Sequence, residues 1–503
     1  MSSNVLTASL SGIEAHPVEL EADISPGLSA FIVVGLPDTA VQEARERVKS
    51  AMKHSELPFP RTKVTINLAP ADLRKAGTGF DLPMAAAVLQ AQGNLPQRDK
   101  NESMLVGELA LDGKLRPVPG ILSMAILAAN HGVKEMIVPE RNGSEAALVP
   151  GIKVRTAADL SQVYGHLCGR DLLPEAPIRR IEFDPAEGNQ MDMSAIRGQE
   201  QAKRSLEIAA AGGHNILLQG PPGSGKTLLA KTLPSILPNL TTDEALEATR
   251  IHSVMGLLPA GGYIATRPFR SPHHSASGVA LVGGGAVPKP GEISLAHRGV
   301  LFLDEFPEFS RNVLEYLRQP LEDGVVTVAR AQGTISFPAR FLLVAAMNPC
   351  PCGYATDPDR ACICSQIQIE RYRKRISGPL MDRIDLAIEV PKVPTEKLTD
   401  LEPGETSADI RGRVQAARDL QTARYEKFPA KTNAELSSDM VRRLIQPSTE
   451  AKDILRQAVE RFKLSARAYF RVLKVSRTIA DLEACDKVEA KHVAEALQYR
   501  QVA

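Results

Sequence analysis

Apolar and polar residues alternate along the first part of the chain with the two-residue period of half-exposed strands. Val18, Leu20, Ala22 and Ile24 are interleaved with Glu19, Glu21 and Asp23, and residues 31–34 and 64–68 form two further strand-length apolar runs. Pro37 suits the first turn of a helix running to His54, where its missing N–H has no acceptor to satisfy. Asp112-Gly113 predicts a hairpin turn between 104–111 and 115–118. Further on, the runs 216–218, 300–303 and 341–346 read as short apolar strands, and 325–337 as two alternating strands around a turn. After Pro391 and Pro394, apolar residues recur at helical spacing in 410–425, 440–444, 451–462, 470–482 and 488–496. The chain therefore divides into a mixed α/β region over 1–170, an α/β core over 194–392 and a helical region over 393–503. A polar stretch interrupted by Pro174, Pro177 and Pro185 makes 171–193 a linker.

The strand at 216–218 breaks into Gly220-Pro221-Pro222-Gly223-Ser224-Gly225-Lys226-Thr227 and leads into Leu228-Leu229-Ala230. A strand, a glycine loop and a helix form the context that a G-x-x-x-x-G-K-[ST] phosphate loop requires. Without side chains at Gly220, Gly223 and Gly225, backbone N–H groups can turn toward phosphate oxygens, and the helix adds its positive end. Lys226 then neutralises the terminal phosphates of ATP, and the Thr227 hydroxyl ligates Mg²⁺. The strand at 300–303 ends in Asp304-Glu305. Asp304 is the candidate for holding Mg²⁺ through water, and Glu305 for orienting and deprotonating the attacking water.

At 503 residues the chain holds roughly three domains. Lys+Arg number 60 against Asp+Glu 59, so net charge neither supports nor excludes a nucleic-acid partner. Met1 to Asn4 lack a basic leader, and no stretch is apolar enough to span a bilayer, so a cytoplasmic protein without a membrane partner is expected. Four of the six cysteines are Cys350, Cys352, Cys362 and Cys364. Two thiolate pairs at this spacing can close a tetrahedral zinc site, although each C-x-C is tighter than the usual C-x-x-C; free reduced thiols and disulfides are the other readings.

Gly107-Glu108-Leu109, 117–121, 128–133 and Ile137-Val138-Pro139 resemble the proteolytic, S5-type domain of Lon. That family uses a Ser–Lys dyad, whose serine position falls here on Gly79 and whose lysine position falls near Leu122; Thr78 has no evident lysine beside it. The resemblance implies a Lon-like fold without peptidase chemistry. The core is similar to AAA+ proteins of the magnesium-chelatase and MCM branch, with a C-terminal helical lid. Ile196-Arg197-Gly198-Gln199 resembles the adenine-side segment, which implies that Gln199 lies at the nucleotide. Asn348 matches sensor 1. In 378–386, Arg383 matches the arginine that reaches the γ-phosphate of a neighbouring subunit; the plainer reading pairs it with Asp382 or Asp385. Ser465-Ala466-Arg467-Ala468-Tyr469 resembles the start of the sensor 2 helix, making Arg467 the second arginine on the nucleotide. The segments 251–298 and 325–337 occupy the places of the inserts that line the channel of MCM-like rings. Arg267, Arg270, Arg330 and Gln332 are thus candidates for DNA phosphate contacts. His273 and His274 are expected on opposite sides of a strand, and the cations of 371–375 either on a solvated helix face or against a DNA backbone.

Together these features resemble the YifB/ComM family over nearly the whole chain. The resemblance implies a hexameric ATP-dependent DNA helicase that drives branch migration as foreign single-stranded DNA is integrated during natural transformation. Its DNA partner is branched or single-stranded and is bound without sequence preference. A chelatase-type motor for metal insertion and an ATP-dependent protease are the alternatives.

Overall fold

The Val18 to Ile24 alternation lies within the strand Glu14–Ser25, where Val18, Leu20 and Ala22 are buried and Glu21 and Asp23 face solvent. Burying one face selects the register: Val5 lies opposite Leu20 on one neighbour and Ala69 opposite Glu19 on the other, both antiparallel. In this computed structural model, which describes residues 3–97, 99, 101–178, 181, 183, 191–259, 261–285, 287–330, 333–392 and 404–500, that strand belongs to a seven-stranded mixed sheet. Its order is Ala30–Val34, Lys63–Ala69, Glu14–Ser25, Val5–Ser11, Ser103–Leu105, Glu135–Pro139, Lys153–Ala157. Much of the linker expected at 171–193 and the residues 393–403 lie outside the described set.

Two local expectations shift. The first helix is Thr39–His54, capped by the Asp38 carboxylate, which accepts from the Val41 N–H at 2.9 Å; Pro37 precedes the cap and is not in the first turn. The Asp112-Gly113 turn joins only Glu108–Leu109 to Leu115–Arg116, because Ser103–Leu105 pairs into the main sheet instead. At the position of the absent serine, a Cβ on Gly79 would sit 3.2 Å from Val118 Cγ1 and 3.3 Å from Val106 Cγ1, while Leu122 is wholly buried. Apolar side chains fill the place a dyad would need.

The second sheet is wholly parallel, in the order Phe269–Arg270, Val300–Leu303, Leu342–Met347, Ile216–Gln219, Leu386–Glu389. Every residue of Val300–Leu303 and Leu342–Met347 is buried, as strands covered on both faces must be. The helices Ser407–Tyr425, Thr449–Phe462, Ala466–Leu482 and Ala490–Gln498 share one core with this sheet, Leu455, Ile479 and Val493 packing in the cluster that holds Ile216 and Val390. No helix among the described residues is long and apolar enough to cross a membrane.

The first sheet is docked on the second. Ile13, in the turn between the first two strands, is buried in the cluster containing Leu217, Leu301 and Phe337. Glu145 accepts from Leu122 N–H at 2.8 Å and from the Ser253 hydroxyl, and Gly120 N–H donates to Ser253 O at 3.1 Å. Burial raises the Glu145 carboxyl above the ordinary range.

Candidate nucleotide site

Parallel strands end together, so the loops after 219, 303 and 347 meet at one edge of the sheet. The phosphate loop begins between two strands: Gly220 N–H donates to Met347 O at 3.2 Å, and a Cβ at Gly220 would lie 2.2 Å from Val390 O, so no larger residue fits. Gly223 and Gly225 have φ of 77° and 90°. Lys226 opens the helix Lys226–Ile236 and is buried, its ammonium donating to Gly220 O at 2.7 Å and Pro221 O at 2.8 Å. Burial lowers its pKa, opposed by Asp304. A desolvated ammonium held by neutral carbonyls suits a polyphosphate. The Thr227 hydroxyl donates to Asp304 Oδ2 at 2.8 Å, which brings together the pair expected at Mg²⁺. Gln199 holds a left-handed conformation, φ 59°, and its side-chain amide donates to Pro391 O at 2.5 Å and to Ser224 O at 3.4 Å. Asn348 follows the Leu342–Met347 strand, beside the loop.

Glu305 also stands in the left-handed region, φ 51°, which turns its half-exposed carboxylate away from the strand. Its partner was not foreseen: His274 Nδ1 lies 3.0 Å from Glu305 Oε2. Phe269 pairs with Val300 and Arg270 with Leu301, and continuing that register brings 274 level with 305. The signal was therefore an offset between two segments, invisible until they are known to be neighbours. His273 and His274 do not flank a strand, which ends at Arg270; their rings lie 4.1 Å apart, on one side.

Arg383 lies elsewhere. It precedes Leu386–Glu389, so it sits at the strand-start edge of the sheet, where Asn215 Nδ2 donates to its carbonyl at 2.9 Å. The guanidinium pairs with Glu322, not with Asp382 or Asp385; Asp385 is taken by His214 at 3.0 Å. Arg467 is also at this edge, its Nη1 3.4 Å from Asp382 Oδ2, with Arg471 donating to Asp382 O at 2.8 Å. Burial and the charges of Arg467, Arg318 and Arg471 together lower the Arg383 pKa. A four-residue strand separates the two edges by about 13 Å. Through this tie to Asp382, Arg467 is grouped with Arg383.

Two candidate DNA contacts are already engaged. Arg267 is half-buried, donating to Pro238 O at 2.6 Å, Arg298 O at 2.7 Å and Glu244 at 3.1 Å, so it stitches the insert to the core. Arg270 makes a two-pronged pair with Glu292 at 2.6 and 2.7 Å. Arg330 ends the strand Val325–Arg330 at the hairpin tip, and Gln332 lies outside the described residues. In 371–375, Tyr372 is buried, its phenol pushed up to about 12 by that burial, and Arg375 pairs with Glu308 at 2.6 Å; Arg371, Arg373 and Lys374 remain exposed. All four clustered cysteines stand as free thiols.

A phosphate loop, two acids at the end of the neighbouring strand but one and a parallel sheet of this order are those of an AAA+ protein. The family described as magnesium chelatase, subunit ChlI, matches residues 192–398, with related ChlI descriptions matching 20–142 and 404–500. The chain is 46% identical over 500 residues to the uncharacterized protein YifB of Escherichia coli, covering 99% of this chain and 97% of that one. It is also 46% identical over 492 residues to the competence protein ComM of Haemophilus influenzae, covering 97% and 95%. A Lon protease of Lachnoclostridium phytofermentans is 24% identical over 161 residues, 30% of this chain and 20% of that one. The chain belongs to the YifB/ComM family.

Proposed function

We propose that the protein is an ATP-hydrolysing DNA motor that works as a ring, a hexamer, and promotes branch migration. The observation that carries the ring is the separation of the two chemistries: Lys226, Thr227, Asp304 and Glu305 at one edge of the parallel sheet, Arg383 and Arg467 at the other. An arginine that cannot reach its own nucleotide can serve a neighbour's, and hydrolysis then requires the assembly. Within one chain, the loop N–H groups and Lys226 bind and orient the phosphates. Glu305, freed from His274, takes the proton of the attacking water, and Asn348 holds the γ-phosphate side of the site. Mg²⁺ held by Thr227 and Asp304 would supply charge neutralisation on the phosphate oxygens.

DNA as the substrate is supported by the likeness to a competence protein and by the hairpin 325–338, whose tip carries Arg330. Contacts of this kind go to phosphates, so binding is sequence-independent and weakens steeply with salt. The test supplies ATP, Mg²⁺ and labelled three- and four-strand junctions to the purified oligomer and counts strands released. Junctions should be resolved faster than blunt duplexes, and Arg330→Ala should lower the ratio of turnover with DNA to turnover without it. The ChlI family descriptions favour a second reading, a motor for metal insertion into a tetrapyrrole. An ATPase indifferent to every junction and stimulated by a porphyrin-bearing partner would establish it in place of the DNA reading.

A further inference from the structure

Immediately after Asn348 the chain runs through residues 351–365 without helix or strand, largely exposed, with Ile363 87% exposed. Such a segment has no apolar core to order it. What converges inside it is sulfur. Cys350 Sγ is 3.4 Å from Cys352 Sγ and 3.6 Å from Cys362 Sγ, Cys352 and Cys362 are 3.6 Å apart, and all four thiols, Cys364 included, lie within 4.8 Å of one another. Four thiolates at about 2.3 Å from a zinc ion stand about 3.8 Å apart, whereas a disulfide needs about 2.05 Å. Cys350 is buried and the other three half-buried, as in a closed structural site. The Cys364 N–H points at Cys362 Sγ at 3.4 Å, the kind of outer contact that favours a thiolate. Left-handed Gly353, φ 87°, turns the chain after the first pair.

That turn is not free. A Cβ on Gly353 would lie 2.7 Å from Pro222 Cγ and 2.8 Å from Pro222 Cδ, so the backbone after Cys352 rests on the phosphate loop. On its other side the segment grips Lys392, whose ammonium is 2.8 Å from Asp357 and 3.2 Å from Asp359. Lys392 follows Pro391, whose carbonyl receives Gln199. We propose that Cys350, Cys352, Cys362 and Cys364 bind a structural Zn²⁺ that braces the phosphate loop through the Gly353–Pro222 contact, so that nucleotide affinity depends on zinc occupancy. This rests on residues 220–227 being the nucleotide site.

The test uses full-length protein purified under reducing conditions without chelator, with metal measured by mass spectrometry and nucleotide affinity by titration with a fluorescent ADP. About one zinc per chain is expected. Removing it with a chelator should weaken ADP binding about tenfold or more, with restoration on adding zinc back. The double variant Cys362→Ser/Cys364→Ser should lose both zinc and affinity. Should that variant not fold, the chelator titration on the unaltered chain decides the matter alone. Gly353→Ala, which drives a methyl into Pro222, should keep its zinc and still lose affinity. Well-folded protein without stoichiometric zinc overturns the metal site. Zinc removal that leaves ADP affinity unchanged overturns the brace. Zinc-loaded protein that binds no ADP at all refutes the nucleotide reading itself, an outcome distinct from the other two.

Discussion

A carboxylate that must take a proton from water is less available to that water while its oxygen faces an imidazole. His274 Nδ1 lies 3.0 Å from Glu305 Oε2 and so restrains the base. His274→Ala should raise turnover in the absence of DNA severalfold and compress the stimulation that DNA produces, with steady-state assays as the measure. Glu305→Gln should bind ATP normally and hydrolyse it about 100-fold more slowly or worse, which single-turnover kinetics would read. The insert also carries a pH-sensitive pair. Arg340 N–H donates to His297 Nδ1 at 3.0 Å, so the proton sits on Nε2 and points to Glu247 Oε2, 3.1 Å away, where Arg298 also donates at 2.8 Å. These donors, the His297 bond foremost, hold the Glu247 carboxyl down at about 2 against an ordinary 4.5. A depressed carboxylate contributes stability above 4.5 that fades as pH falls toward 2, because the unfolded chain binds the proton first. Glu247→Gln should therefore flatten the acid limb of thermal stability over that window and leave its slope near neutrality unchanged.

The Val325–Arg330 and Gly333–Pro338 hairpin has two halves with different tasks. Val326, Val328 and Phe337 are buried with Leu301 and Leu343, which anchors its base, while Arg330 stands at the far end of its strand. The turn of the first sheet closes on the same base: a Cβ on Gly12, φ 65°, would fall 2.6 Å from Ile335 Cγ2. Gly12→Val adds backbone strain to that clash, so it should cost roughly 1–3 kcal/mol of stability by denaturant titration. Loss of DNA-stimulated turnover beyond this destabilisation would indicate that the first sheet sets the hairpin's position. Unchanged stability would mean that the turn is not packed on the hairpin in solution.

At the scale of the assembly, the two edges of the parallel sheet impose a rule of complementation. Subunits carrying Glu305→Gln keep Arg383, and subunits carrying Arg383→Ala keep Glu305. Mixed at random, about one interface in four retains both groups, so activity should return in part although each variant alone is inactive. A verified oligomer of Arg383→Ala that hydrolyses ATP at the normal rate would remove the trans arginine from the mechanism.

The chain's own order was enough for whatever depends on neighbours in sequence. The glycine spacing of 220–227, the acids after 300–303 and Asn348 after its strand were legible because each is a strand followed by its own loop, and local geometry decides where those side chains go. The hairpin was legible for the same reason, and so was the alternation of Glu14–Ser25. Only the tertiary structure decided what lies across strands. It paired His274 with Glu305, tied Arg467 to Asp382, surrounded Arg267 with carbonyls and set Gly353 on Pro222. The first and last of these follow from the order 269, 300, 342, 216, 386 in which the strands lie side by side. That order differs from chain order because burying every face of a parallel sheet selects neighbours by crossover and packing, not by proximity in sequence.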